Sequence, residues 1–122
     1  MHKYLLQNKL FQKLPSEQLA ELENLCVKIL LPENAVLISE GDDSYDLFVV
    51  VKGELTILKE SDDGSLFTLG KKKSGDIIGE LAFIESGLRS ATVKTLTPCE
   101  LIKIDGEKIR SKHQYENLLM TS

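Results

Sequence analysis

Tryptophan is absent from this 122-residue chain, and cysteine and histidine each occur only twice. Two cysteines cannot build a disulfide framework, and Cys26 and Cys99 form no CxxC pair. Cys26 falls on an apolar stripe and Cys99 precedes an alternating pattern, so both read as reduced, mostly buried thiols packing as small hydrophobes. His2 and His113 lie near opposite ends. That scarcity excludes a histidine-built metal centre and a His-dependent nucleophilic triad, so neither metal ligands nor catalytic residues are expected. The longest apolar run, Leu47–Val51, is far short of the ~18–20 residues a membrane-spanning helix needs. Met1 to Phe11 has neither the apolar core nor the small-residue cleavage site of a signal peptide, and a cytoplasmic protein is expected. Positive charge is also short: 15 Lys plus Arg against 19 Asp plus Glu, a net charge of −4. Proteins that grip nucleic acid usually show a basic stripe. Small-molecule and protein partners stay open.

What is present is enough for one domain. The chain is 42% apolar and 28% charged, which supports a single core at this length. Residues 3–30 read as helical. Leu5, Leu6 and Leu10 share one side of a first segment, and Pro15 interrupts. Ser16 is placed to cap a second helix. Leu19, Leu22, Leu25, Cys26 and Ile29 then recur at helical spacing.

After Pro32 short strand patterns follow one another: Val36–Ile38, Leu47–Lys52, Leu55–Leu58, Leu66–Leu69, Ala91–Thr95 and Leu101–Ile104. Gly, Asp, Asn and Ser separate them, with a hairpin loop at Ser61-Asp62-Asp63-Gly64. Strands at this spacing point to a sandwich or barrel. Lys71-Lys72-Lys73 reads as a solvated loop, the alternative being a basic run that meets an acidic partner. The tail from Gly106 is polar and helix-compatible.

One segment does not fit a plain β-roll. From Gly75 to Val93 it reads GDIIGELAFIESGLRSATV. Gly79 permits a tight entry and close backbone approach. Glu80 to Ile84 favour helix for barely one turn, and Gly87 ends that turn. Unpaired amides at the start of such a turn form an anion site. Arg89 supplies a planar, multi-donor cation suited to phosphate. Glu80 would repel a phosphate unless it has its own donor, such as a ribose hydroxyl. Together these residues point to a nucleotide.

Gly75-Asp76, Gly79-Glu80-Leu81-Ala82 and Arg89-Ser90-Ala91-Thr92-Val93 resemble the phosphate-binding cassette of the cyclic nucleotide-binding domain family. That family includes the catabolite activator protein and the regulatory subunits of cyclic-AMP-dependent kinase. Leu10-Phe11 to Leu14, Glu40-Gly41-Asp42 and Val50 to Glu54 extend the resemblance over about residues 8–110. It implies a mainly β fold with flanking helices: an antiparallel jelly roll with N-terminal helices, a short phosphate-binding helix and a short C-terminal helix. Residues 1–122 would form one domain: a helical part (1–30), the roll (31–105) with its cassette (75–93), and a tail (106–122).

The resemblance also implies site roles. Glu80 would accept a hydrogen bond from the ribose 2′-hydroxyl, and Arg89 would pair with the cyclic phosphate. The amides of Leu81 and Ala82, after the turn at Gly79, would face phosphate oxygens, and Ser90 would add a hydroxyl. The implied function is a non-catalytic cyclic nucleotide sensor with an unknown protein partner. Serine rather than threonine after the cassette arginine favours cyclic AMP as ligand, with cyclic GMP the other candidate. Only 18 residues follow Ile104, too few for a helix-turn-helix domain, so specific DNA binding is not expected. The tail is also too short for a long helix over the base. A rival reading keeps the fold as a degenerate protein-interaction module. A cupin-type enzyme lacks its histidines here.

Overall fold

The computed structural model describes Gln12, residues 15–79 and residues 88–110. Helix α1 (Ser16–Glu23) buries Leu19 and Leu22. Its N-cap is Pro15, not Ser16, and no side chain caps the helix start. Proline at φ −58° and ψ 153° sets the entry, and its carbonyl accepts the Leu19 N–H at 3.0 Å.

The helical stripe expected to run on to Ile29 stops short. Cys26–Leu31 is strand β1, paired antiparallel with β8 (Cys99–Ile104), with Cys26 opposite Ile104 and Leu31 opposite Cys99. Apolar residues at 22, 25, 26 and 29 satisfy a helical period. From Val27 on, the β-branched side chains and a six-residue partner strand decide the conformation.

The remaining strands are β2 (Val36–Ile38), β3 (Leu47–Lys52), β4 (Leu55–Glu60), β5 (Leu66–Lys72), β6 (Ile77–Ile78) and β7 (Thr92–Thr95). Helix α2 (Gly106–Arg110) follows β8. The strands form two four-stranded sheets, ordered β1-β8-β3-β6 and β2-β7-β4-β5, with every pair antiparallel. The structure is mainly β, as the spacing of turn signals implies. The expected strand limits hold to within a few residues, and β6 is an addition inside the Gly75–Val93 segment. Lys71 and Lys72 do not sit in a loop but end β5.

The apolar core joins both sheets. Phe48, Val50, Ile78, Cys99 and Leu101 from the first meet Ile38, Leu55 and Val93 from the second. Val50, Leu55 and Leu101 are fully buried. Each such side chain contributes about 1.5–3 kcal/mol. Leu47, Val49, Ile102 and Ile104, on the alternate positions of β3 and β8, are buried as well. That two-sided burial is why Leu47–Val51 reads as a continuous apolar run rather than an alternating one.

Thr95 ties the second sheet to the segment before β2. Its hydroxyl donates to the Pro32 carbonyl at 2.7 Å and accepts the Ala35 N–H at 2.8 Å. The β4–β5 hairpin closes on Asp63, which accepts bonds from the Ser61 hydroxyl and from the Ser65 hydroxyl and amide. Those donors hold the Asp63 carboxyl down at about 2. Among the described residues, no helix is long and apolar enough to cross a membrane.

Candidate functional site

Three segments meet at one end of the roll: the loop from Ser39 to Asp46 between β2 and β3, Gly79 after β6, and residues 88–91 before β7. The loop grips Arg89 by its backbone. The Gly41 N–H donates to the Arg89 carbonyl and the Arg89 N–H donates to the Asp42 carbonyl, each at 2.8 Å. The side chain is gripped too. Its Nε donates to the Ser44 hydroxyl at 3.0 Å, one terminal nitrogen to the Gly79 carbonyl at 3.1 Å, and the other to the Asp46 carbonyl at 2.5 Å.

Arg89 is only 4% exposed. Burial pulls its pKa down from the usual arginine value, while Asp46 and Asp42 oppose that shift. Arginine keeps its charge under such a perturbation. Among the described residues, no carboxylate lies within ion-pair distance of it. Three of the five guanidinium N–H groups have protein acceptors, which leaves two without one among the described residues. A buried cation with spare donors and no direct counter-charge marks a site for an anion.

Gly79 makes this grip possible. Its φ is +92°, and a Cβ there would lie 2.6 Å from an Arg89 terminal nitrogen and 2.8 Å from the Asp46 carbonyl oxygen. No side chain fits, and L-residues rarely adopt that backbone conformation.

Next to the guanidinium lies a cavity of about 250 Å³. Ile38, Ile57, Ile77, Ile78 and Val93 form aliphatic wall, and Gly79, Arg89, Ser90 and Lys72 bring polar groups to it. A partly apolar molecule with an anionic end matches this lining. Among the described residues, no cluster of three or more His, Cys, Asp or Glu could hold a metal.

Of the residues singled out from the sequence, Gly79, Arg89 and Ser90 come together on this cavity. Ser90 is exposed, and its carbonyl accepts the Lys59 ammonium at 2.7 Å. The Glu60 amide donates to Glu40, and Lys59 also pairs with it at 3.2 Å; the amide bond first and Lys59 second hold the Glu40 carboxyl below its usual range. Glu80, Leu81 and Ala82 lie outside the described residues, as do Phe83 to Gly87, both histidines and the tail beyond Arg110. Ser44 and Asp46 belong to the site without having been singled out, and Lys72 joins it from a run that reads as solvated loop. Ser44 and Asp46 sit in an Asp- and Ser-rich turn like many others, and nothing local marks them as partners of Arg89.

Comparison with known proteins identifies the family. The pattern of the cyclic nucleotide-binding domain matches residues 28–116. The chain is 35% identical over 98 residues to the cGMP-dependent protein kinase egl-4 of Caenorhabditis briggsae, covering 80% of this chain and 12% of that protein. It is 35% identical over 80 residues to the cAMP-activated global transcriptional regulator CRP of Pasteurella multocida, covering 65% of this chain and 38% of the regulator. The chain thus spans well under half the length of either relative. The regulatory domain of Toxoplasma gondii PKA, crystallised with cAMP, superimposes with a TM-score of 0.84 at 29% identity, over 90% of this chain and 42% of that one. With the two-sheet roll and its buried arginine, these matches place the chain in the cyclic nucleotide-binding domain family.

Proposed function

We propose that this domain senses cyclic AMP without catalysing a reaction, and passes the signal to a protein partner rather than directly to DNA. The cyclic phosphate is taken by Arg89 together with the amides of Leu81 and Ala82 beyond the Gly79 turn. Glu80 takes the ribose 2′-hydroxyl, and Ser90 adds its exposed hydroxyl. The purine lies along the aliphatic wall of Ile38, Ile57 and Val93. The observation that carries this reading is the buried Arg89 guanidinium, which keeps two N–H groups free of described protein acceptors beside an apolar cavity. Ser90, in place of threonine, favours adenine over guanine.

Isothermal titration with cyclic AMP, cyclic GMP and 5′-AMP tests the reading. Cyclic AMP is expected to bind tightest, and 5′-AMP weakest because its phosphate is not tethered at the 3′ position. Binding of none of the three would overturn the assignment. Tighter binding of cyclic GMP would overturn the base preference alone.

A further inference from the structure

Lys72 is the last residue of β5 and lies opposite Leu55 of β4. Directly opposed residues of an antiparallel pair share a face, and Leu55 is fully buried in the core. A register shift between Ile57 and Leu58 sets this phase: Ile57 opposes Gly70 while Leu58 opposes Thr68, so Leu69 is the extra residue. Such a bulge moves the residues beyond it to the other face. Lys72 is therefore half-buried on the cavity, whereas Lys71 and Lys73 are exposed.

The cavity wall there is largely isoleucine and valine, and among the described residues the other charged side chain lining it is Arg89. Lys28, Lys59 and Lys103 each have a carboxylate partner. Among the described residues, neither Lys72 nor Arg89 has one. Two cations on one cavity with aliphatic walls repel each other across a medium that screens less than water does. An anion between them relieves that repulsion.

We infer that Lys72 is a second ligand-binding cation of this site, serving the same anionic group as Arg89 whatever the base. The inference rests on the cyclic nucleotide reading above and adds a residue to it. Lysine acts here as a point charge beside the planar fork of the arginine.

The test compares wild type with Lys72→Met, which keeps the length and apolar character of the stem, and Lys72→Arg, which keeps the charge. Probes are cyclic AMP, cyclic GMP and uncharged adenosine, titrated at two salt concentrations, with melting curves to verify folding. Lys72→Met is expected to weaken both cyclic nucleotides equally, by about threefold to tenfold, the scale of a half-buried charge pair. It should also reduce the salt dependence of binding and leave adenosine unaffected, and Lys72→Arg should restore most of the loss. Wild-type affinity in Lys72→Met would overturn the inference. So would a loss confined to cyclic GMP, which would assign Lys72 to the base, or an equal loss for adenosine, which would assign it to packing. If Arg89→Ala loses binding while Lys72→Met does not, the site reading stands and the role of Lys72 falls. If wild type binds no cyclic nucleotide, both fall together.

Discussion

Replacing Arg89 by alanine should damage the empty domain as well as its ligand binding. The guanidinium ties its own segment to two others, the Ser39–Asp46 loop through Ser44 and Asp46 and the turn at Gly79. A hydrogen bond to a charged group contributes about 1.5–3 kcal/mol, and removing one partner leaves the other to find water. The Gly79 and Asp46 carbonyls can be wetted through the space the side chain vacates, which offsets part of the loss. A net cost of about 2–4 kcal/mol follows, a large share of the roughly 5–15 kcal/mol that holds a domain together. For a chain of this size the melting temperature should fall by roughly 8–20 °C. Arg89→Lys keeps a charge but not the fork, so about half of that fall is expected. The two remaining N–H groups are lost to the ligand as well, and cyclic AMP affinity should drop at least about tenfold to a hundredfold. Differential scanning calorimetry with and without cyclic AMP reads both effects from one sample, since a ligand that binds only the native state raises its stability. An Arg89→Ala protein that melts within about 2 °C of wild type, and still gains the full shift with nucleotide, would refute both roles.

Three further outcomes are expected. Thr95→Val keeps the shape of a fully buried residue but strands the Ala35 N–H and the Pro32 carbonyl; a loss of about 2–4 kcal/mol in urea unfolding is expected, and less than 0.5 would show that those groups find other partners. A Cβ at Gly106 would overlap the Tyr45 carbonyl, so Gly106→Ala must displace the loop holding Arg89, costing about 1–3 kcal/mol; an unchanged melting temperature would contradict the packing described. Burial, aided by Glu23, pushes the Cys26 thiol up from 9.0 to about 12, so native protein should resist iodoacetamide at pH 8 and react in denaturant. The unfolded chain sheds this proton first, so the thiol's contribution to stability is full below about pH 9 and is lost as pH rises towards 12; rapid alkylation of Cys26 in native protein would show its burial to be wrong.

Much of the roll was legible because its signals are local. Turn residues at Gly41, Gly53, Gly64 and Gly75 punctuate apolar stretches, and each sits at positive φ in the structure. The misread element, Cys26–Leu31, is one whose conformation is decided from outside. Its partner strand lies at the far end of the described chain, and no local pattern reports that pairing. The same division runs through the site. Gly79, Arg89 and Ser90 were visible as a motif with a chemical rationale. That Arg89 is buried, and held by Ser44 and Asp46, depends on contacts more than forty residues away in sequence. Lys72 was hidden by its own neighbours: a run of three lysines looks like solvent-facing loop, whereas strand alternation turns the middle one inward, in a phase set by the bulge at Leu69.

The pairing of β1 with β8 has a consequence for how the domain forms. Cys26 finds its partner in Ile104, so the first sheet lacks its β8 strand until almost the whole described chain is available. The loop between them is long, and closing it costs entropy before any contact repays it. The β4–β5 hairpin, whose register is local, can form early and wait. A nascent chain on the ribosome should therefore stay protease-sensitive until β8 has cleared the exit tunnel, then become resistant in a single late step.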